Sequence, residues 1–275
     1  MNTVLSLFDY SGNWPRPFAY DGWRVIQVDE KLGIDILDID SAETALDLFE
    51  NVHGILAAPP CTTWTRTSAQ YWPRYDRNGQ TDHALSLVDR VEALAELFKP
   101  TDPDYYAELG EPFFWAVENP PGRLPKAKPS LLPRQHEPIP PETDHRMNPR
   151  DPFYFDPCDY AGYLDLSDSD HNELDRIRRK GGKGITREEV LFVMECNAYT
   201  KKTVLYGEFR TPRQKRPIEP VRCNPQGSPV QSFGGNSSQG KEIRSRTPLG
   251  FAKAFFLANR DYQAPLTQPK QKRLF

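Results

Sequence analysis

Between Val52 and Ala58 the chain reads as a strand of the buried type, and it stops at Pro59-Pro60 because two prolines cannot continue a central hydrogen-bonded ladder. Strands of that kind belong to parallel sheets whose faces are covered by helices. The neighbouring sequence repeats the pattern. Thr3 to Phe8 is a short apolar run ending in the turn-rich Asp9-Tyr10-Ser11-Gly12-Asn13, and Trp23 to Val28 is a second run ending at Asp29-Glu30. Between Asp40 and Glu50, Ala42, Leu46 and Phe49 fall on one helical face, with Asp40 and Glu43 at capping-box spacing. Asp82 to Phe98 is the clearest amphipathic helix, with Leu85, Val88, Val91, Leu94, Ala95 and Phe98 at three- and four-residue steps before Pro100. Phe113 to Val117 is another strand, ending at Glu118-Asn119-Pro120-Pro121. The expected fold is α/β, a doubly wound and mostly parallel sheet.

Farther along, Gly122 to Pro157 is proline-rich and without periodicity, as a long loop over the sheet would be. Asp165 to Asn197 reads as an insertion: a charged segment, the stretch Arg178-Arg179-Lys180-Gly181-Gly182-Lys183-Gly184, then a capping box from Thr186 to Glu189 opening a short helix through Met194. Thr203 to Tyr206 reads as a strand and Pro248 to Asn259 as a second strong helix, with Phe251, Ala254, Phe255 and Ala258 on one face. The division expected is a catalytic α/β core over 1–162, an insertion over 163–198 that could face nucleic acid, a short recognition-like region over 199–243, a helix over 244–260 returning to the core, and a basic flexible tail over 261–275.

No apolar run approaches the roughly 18 residues that span a bilayer, and the amino terminus lacks a basic start and cleavage site, so a cytoplasmic location and no membrane partner are expected. Cys61, Cys158, Cys196 and Cys223 lie far apart, with no C-x-x-C pair and no clustered histidine, which suggests neither a metal site nor a disulfide framework. The net charge of -3 conceals an asymmetry: from His171 onward 21 Lys+Arg face 9 Asp+Glu, or +12, leaving 14 and 29, or -15, before it. A basic carboxyl-terminal part suits phosphates, although a solvated surface explains charge asymmetry as readily.

Two polar groups stand at strand ends, where open parallel sheets hold their chemistry. Cys61, after the Pro59-Pro60 turn, is placed at the carboxyl edge of the sheet rather than in its core, although a lone cysteine is more often a small buried apolar residue. There a stiff loop fixes the thiol, and a nearby cation favours the thiolate. Glu118 converges on the same edge. A carboxyl group in a partly apolar pocket stays protonated and donates to a ring nitrogen.

These residues resemble the catalytic Pro-Cys and Glu-Asn motifs of the DNA cytosine-5 methyltransferases: Pro59-Pro60-Cys61 and Glu118-Asn119-Pro120, in that order. Leu7-Phe8-Asp9-Tyr10-Ser11-Gly12, with Gly22-Trp23 and Asp29-Glu30, is similar to the family's AdoMet-binding start. Arg244-Ser245-Arg246-Thr247-Pro248, leading into the helix to Asn259, is similar to its closing motifs. The chain thereby looks like a compact, phage-type member of the family. Tyr10 and Asn13 stand where the family has glycines. The usual Gln-x-Arg-x-Arg is replaced by Tyr199-Thr200-Lys201-Lys202-Thr203.

The resemblance implies a Rossmann-like fold of the AdoMet-dependent methyltransferase type with a small inserted or recognition region, S-adenosyl-L-methionine as cofactor with S-adenosyl-L-homocysteine as product, and DNA, double-stranded, as partner. It implies that Cys61 adds to carbon 6 of a flipped-out cytosine and that Glu118 bonds ring nitrogen 3 and the exocyclic amine, with Asn119 orienting the loop of Pro60 and Cys61. Phe8, Asp9, Ser11, Gly12, Asp29, Glu30, Asp38, Ile39, Pro59 and Asn259 are its implied cofactor contacts, with Asp35 or Asp40 as alternatives to Asp38. Lys202 or Arg210 is the cation near the base, and Arg213 and Arg216, with Lys215, Arg222 and the Gly/Ser-rich Gly234 to Gly240, suit phosphate contact.

The same residues admit three rival readings. An amino-methyltransferase shares Asn119-Pro120-Pro121 but needs an aromatic residue where Gly122 stands. A catalytically idle AdoMet-fold binder of nucleic acid or protein, of an anti-restriction type, has no use for both Cys61 and Glu118. An RNA cytosine methyltransferase keeps the thiol and changes the substrate.

Overall fold

The computed structural model describes residues 1–100, 113–131, 152–223, 242–243 and 245–261. Gly234 to Gly240, Arg244, the tail from residue 262 and residues 132–151 of the expected long loop lie outside the described residues. Six strands form one sheet: β1 (Thr3–Leu7), β2 (Arg24–Val28), β3 (Val52–Ala57), β4 (Phe114–Asn119), β5 (Phe153–Phe155) and β6 (Thr203–Glu208), in the order β2-β1-β3-β4-β6-β5. β1 to β4 pair in parallel and β6 runs antiparallel to both its neighbours. The helices are α1 (Arg16–Tyr20), α2 (Ala42–Leu48), α3 (Trp72–Arg77), α4 (Gln80–Phe98), α5 (Leu124–Ala127), α6 (Asp168–Arg178), α7 (Arg187–Glu195) and α8 (Leu249–Asn259).

Period-two alternation sorts the strand residues onto two faces. Leu5, Leu7, Ile55, Ala57, Trp115 and Val117 pack with Leu87, Val88, Val91 and Leu94 of α4. Val4, Leu56, Phe114, Ala116 and Leu205 pack on the other side with Phe18 of α1 and with Phe251, Ala252 and Phe255 of α8. Each such Leu, Val or Phe, almost fully removed from water, contributes about 1.5–3 kcal/mol. Helices therefore cover both faces, as a doubly wound sheet requires. A third apolar cluster joins Leu174 and Ile177 of α6 to Val190, Val193 and Met194 of α7, with Tyr199, Val221 and Ile243. Among the described residues no helix is long and apolar enough to cross a membrane.

The structure moves several boundaries. Ser41, not Asp40, caps α2, its hydroxyl accepting from Thr44 N at 3.1 Å. The helix accordingly buries Ala45, with Phe49 just after it, and leaves Ala42 and Leu46 exposed. A helix this short makes little of its own face, so the cap and the Phe49 anchor set its frame. β4 runs on through Glu118 and Asn119 because β6 pairs with it there, Glu118 opposite Leu205 and Asn119 opposite Val204. β5, inside the expected loop, is too short for any period to show. α6 occupies the charged segment, stabilised by a Ser167–Asp170 capping box and two buried apolar residues.

Candidate active site

Parallel strands β1, β3 and β4 end level with one another, Leu7 beside Ala57 and Ala57 beside Val117, so the segments leaving the three strands meet at one edge. Pro59 is buried and Pro60 exposed, and Cys61 is half-buried. The next residues dive back: Trp64 is fully buried, and its N–H and that of Thr65 both donate to the Cys61 carbonyl, at 3.0 and 3.1 Å. Cys61 thus sits on a tight turn anchored by an indole.

That turn is clamped to the segment after β4. Arg123 N donates to the Trp64 carbonyl at 2.9 Å, and Arg123 Nε to the Thr63 carbonyl at 2.9 Å. Its guanidinium continues to Asp76 (Nη1 to Oδ2, 2.9 Å) and to the Thr81 hydroxyl (Nη2, 2.8 Å), and it lies over the Trp72 ring. Gly122 makes the approach possible: a Cβ there would stand 1.8 Å from the Trp64 carbonyl oxygen. The absence of an aromatic residue at this position therefore has a steric cause.

Glu118 is 6 % exposed. It shares the sheet face that α8 covers, which brings Thr247, just ahead of α8, to it: the Thr247 hydroxyl donates to Oε2 at 3.0 Å. Lys201 Nζ lies 3.8 Å from Oε1. Burial pushes the Glu118 carboxyl up, against the opposing pull of the Lys201 ammonium and the Thr247 hydroxyl, and Asp9 nearby adds to the rise. Asn119 is 1 % exposed, and neither its amide nitrogen nor its oxygen finds a partner among the described residues.

The first loop is built around Asp9. Its carboxylate accepts from the Ser11 hydroxyl at 2.5 Å, from Gly12 N at 3.1 Å and from Trp14 N at 3.2 Å, while its carbonyl accepts from Gln27 Nε2 at 2.7 Å. Asp9 is therefore consumed in shaping the turn. Asn13, at a position where the resembling family has glycine, uses its amide to donate to the Thr247 carbonyl at 3.2 Å. Thr247 thus ties the first loop to Glu118.

Asp29, at the end of β2, is half-buried with an extended backbone; Oδ1 accepts from Lys31 N at 2.9 Å, and Oδ2 has no partner among the described residues. Phe8 adopts φ 61, an unusual conformation for a side-chain-bearing residue, and packs against the α4 face of the core. Glu30 and Asp38 are exposed, whereas Ile39 is 2 % exposed and belongs to the core. Asp35 caps a 3-10 turn through Leu37 N, and Asp40 is exposed.

Other expected residues are not brought to this edge. β6 starts beside Asn119 and ends beside Trp115, so Arg210 and Phe209 emerge at the opposite edge of the sheet. Asn259 is there too, fully buried, its amide bonded to both the N–H and the carbonyl of Arg210. Lys202 is 60 % exposed and pairs with Asp156 at 3.0 Å, so the cation beside Glu118 is its neighbour Lys201. Arg213 is exposed, and Arg216 stacks over the Tyr163 ring at 4.5 Å. Sequence reasoning assigned no part to Thr247, Lys201, Arg123 or Asn13. Thr247 and Lys201 stood in quoted motifs, but only the β4–β6 register shows which of two adjacent lysines reaches Glu118. Among the described residues no group of three His, Cys, Asp or Glu is gathered as a metal site.

No family model matches the chain, and no curated protein does. Among solved structures it is similar to a chain encoded within an E. coli prophage and assigned as a DNA modification methyltransferase, at 13% identity and a TM-score of 0.35, over 86% of this chain and 56% of that one. The chain therefore spans little more than half the length of that neighbour.

Proposed function

We propose that this chain is an AdoMet-dependent DNA cytosine-5 methyltransferase in which Cys61 is the covalent nucleophile and Glu118 the acid that engages the base. The observation that carries the reading is the pairing at one sheet edge of a half-buried thiol on a clamped turn with a buried carboxyl whose protonated form is favoured. A thiol alone would suit a redox or core role. A buried carboxyl at the same edge, its pKa raised by burial, suits addition to a ring that must be held through a nitrogen.

The donor set fits the cofactor in kind. Asp29 keeps one carboxylate oxygen for a ribose diol, and Phe8 offers an apolar wall for the adenine. Ser11 and Gly12 hold the turn between them. When bound, AdoMet supplies an electrophilic methyl group. Cys61 Sγ, as thiolate, adds to carbon 6 of an extruded cytosine, because neither face of a stacked base admits a thiol. Glu118 donates its proton in a hydrogen bond to ring nitrogen 3 and accepts from the exocyclic amine, with Lys201 and Thr247 fixing its two oxygens. Arg123 and Gly122 hold the Cys61 turn against the Glu118 segment, which keeps the reacting atoms in one orientation. The addition makes carbon 5 nucleophilic, so that it would take the methyl group from the bound cofactor, and loss of the carbon 5 proton to solvent then expels the Cys61 sulfur and restores the ring.

The test is a mixed-sequence duplex carrying 5-fluorocytosine, incubated with AdoMet. A Cys61-dependent covalent adduct, with 5-methylcytosine in nucleosides from expressing cells, is the expected result. No adduct and no modified nucleoside would overturn the proposal in favour of an idle binder, and modification confined to RNA would reassign the substrate.

A further inference from the structure

The segment between β5 and β6 leaves the sheet at Phe155 and returns at Thr203, and these two residues are register partners. Because Val204 lies opposite Asn119, both ends of the segment stand at the edge that holds Glu118. The helical pair α6–α7 is therefore rooted beside the candidate active site. At its root, Asn197 accepts from Gly250 N at 2.8 Å, and Lys201 Nζ lies 3.8 Å from Glu118. The pair carries its own apolar cluster.

Its charges are sorted along its length. Asp165 precedes α6 and Asp168, Asp170, Glu173 and Asp175 lie along it, whereas Arg178 to Arg187, the turn joining the helices, holds five basic side chains and no acidic one. Beside that turn the buried Glu189 of α7 gathers Lys180, at 2.6 and 2.7 Å, and Arg176. Arg178 is committed to Asp175 and to the Glu219 carbonyl. Arg179 and Lys183 remain exposed, with no ion-pair partner among the described residues. Gly181 and Gly184, each at φ +60, hold the turn in a left-handed conformation.

Helix stability explains the acids at the start of α6 and the bases at its end. It does not account for Arg179 and Lys183, which stay exposed without an ion-pair partner among the described residues although Glu188 and Glu189 stand in the first turn of α7. Exposed cations left unpaired in this way are available to the phosphates of a polyanion. We infer that the α6–α7 arm is a backbone-contacting clamp for duplex DNA, with Arg179 and Lys183 meeting phosphates flanking the base presented to Cys61 and Glu118. The inference rests on the methyltransferase reading for what lies beside those phosphates, and on the arm alone for the contact itself.

The experiment compares the full chain with Arg179→Gln/Lys183→Gln and with a control of equal charge change at the opposite edge, Arg24→Gln/Arg260→Gln, by fluorescence anisotropy on a mixed-sequence duplex across a salt series. Losing two phosphate contacts lowers the slope of log affinity against log salt by about two and weakens binding about tenfold or more at low salt, while the control changes neither. KM for duplex should rise with kcat nearly kept, and Arg179→Lys should restore binding, since Lys183 and a lysine supply the same charges. An unchanged slope in the double variant, or an equal loss in the control, overturns the clamp. A preference for single-stranded RNA that the arm variant abolishes overturns the choice of duplex DNA. If the slope changes as expected but the wild-type chain forms no Cys61 adduct, the clamp stands and the methyltransferase reading falls.

Discussion

Thr247 and Glu118 stand 129 positions apart in the chain, yet the threonine hydroxyl donates to Glu118 Oε2 at 3.0 Å in a buried contact. Since the Thr247 carbonyl also accepts from Asn13, one residue links the first loop, the acid and the start of α8. Thr247→Val keeps the shape and removes the donor, leaving a buried carboxyl oxygen unsatisfied at a cost of about 1–3 kcal/mol. The expected outcome is a lower melting temperature and a methylation kcat reduced about tenfold, with Thr247→Ser recovering most of both. A kcat unchanged in the valine variant would remove Thr247 from the positioning of Glu118.

The Glu118 carboxyl has a second consequence, for pH. Burial raises its folded pKa above the unfolded value, so between those values the folded state holds a proton that the unfolded state has released. Stability contributed by the protonated form is complete below the unfolded pKa and is lost as pH rises through the folded one. Glu118→Gln removes this dependence. Melting temperatures of the two proteins, compared across a pH series, should converge on the acid side and diverge upward from the ordinary glutamate range, with the wild type losing ground. Parallel curves would show that Glu118 ionises as freely as an exposed carboxylate.

Gly122 touches the Trp64 carbonyl so closely that a methyl group there must displace one of the two loops. Gly122→Ala should break the Arg123 N to Trp64 bond and shift the Cys61 turn, and a displacement of about an ångström at a reacting atom costs about 10²-fold in rate. Arg123→Lys tests the same clamp from the other side, because a lysine cannot span Thr63, Asp76 and Thr81 together. Both variants should form the 5-fluorocytosine adduct slowly while binding AdoMet as the wild type does, measured by single-turnover trapping and calorimetry. Adduct formation at the wild-type rate in both would show that the clamp serves folding alone.

Legibility in the sequence falls off with distance along the chain. Strand ends, the Pro59-Pro60 stop and the α4 face are local, and β1 to β4 appear close to where periodicity put them. Residue partnerships across the fold are not local. That Lys201 rather than Lys202 meets Glu118 depends on a β4–β6 register that no local pattern encodes. The same register carries Arg210 and Asn259 to the far edge. The resemblance gives Asp9 as a cofactor contact, and only the folded loop shows that its carboxylate accepts from Ser11, Gly12 and Trp14. α6 went unseen because a mostly charged helix held by Leu174 and Ile177 has almost no apolar face to read.

Cys61 is the residue on which these relationships converge, and its substitution separates chemistry from binding most cleanly. Its turn is held by backbone bonds from Trp64 and Thr65 to the Cys61 carbonyl and by the Arg123 clamp. Cys61→Ser should therefore leave the melting temperature and the turn nearly unchanged. Serine at neutral pH lacks the nucleophilicity of a thiolate, so methyl transfer and the 5-fluorocytosine adduct should both disappear. AdoMet affinity by calorimetry should stay within about twofold, because the groups proposed to hold the ribose and the adenine, Asp29 and Phe8, stand at the ends of β2 and β1, and the Pro59 contact does not involve the thiol. A cofactor affinity that falls together with the activity would place Cys61 in the cofactor site and overturn its assignment as the nucleophile facing the base.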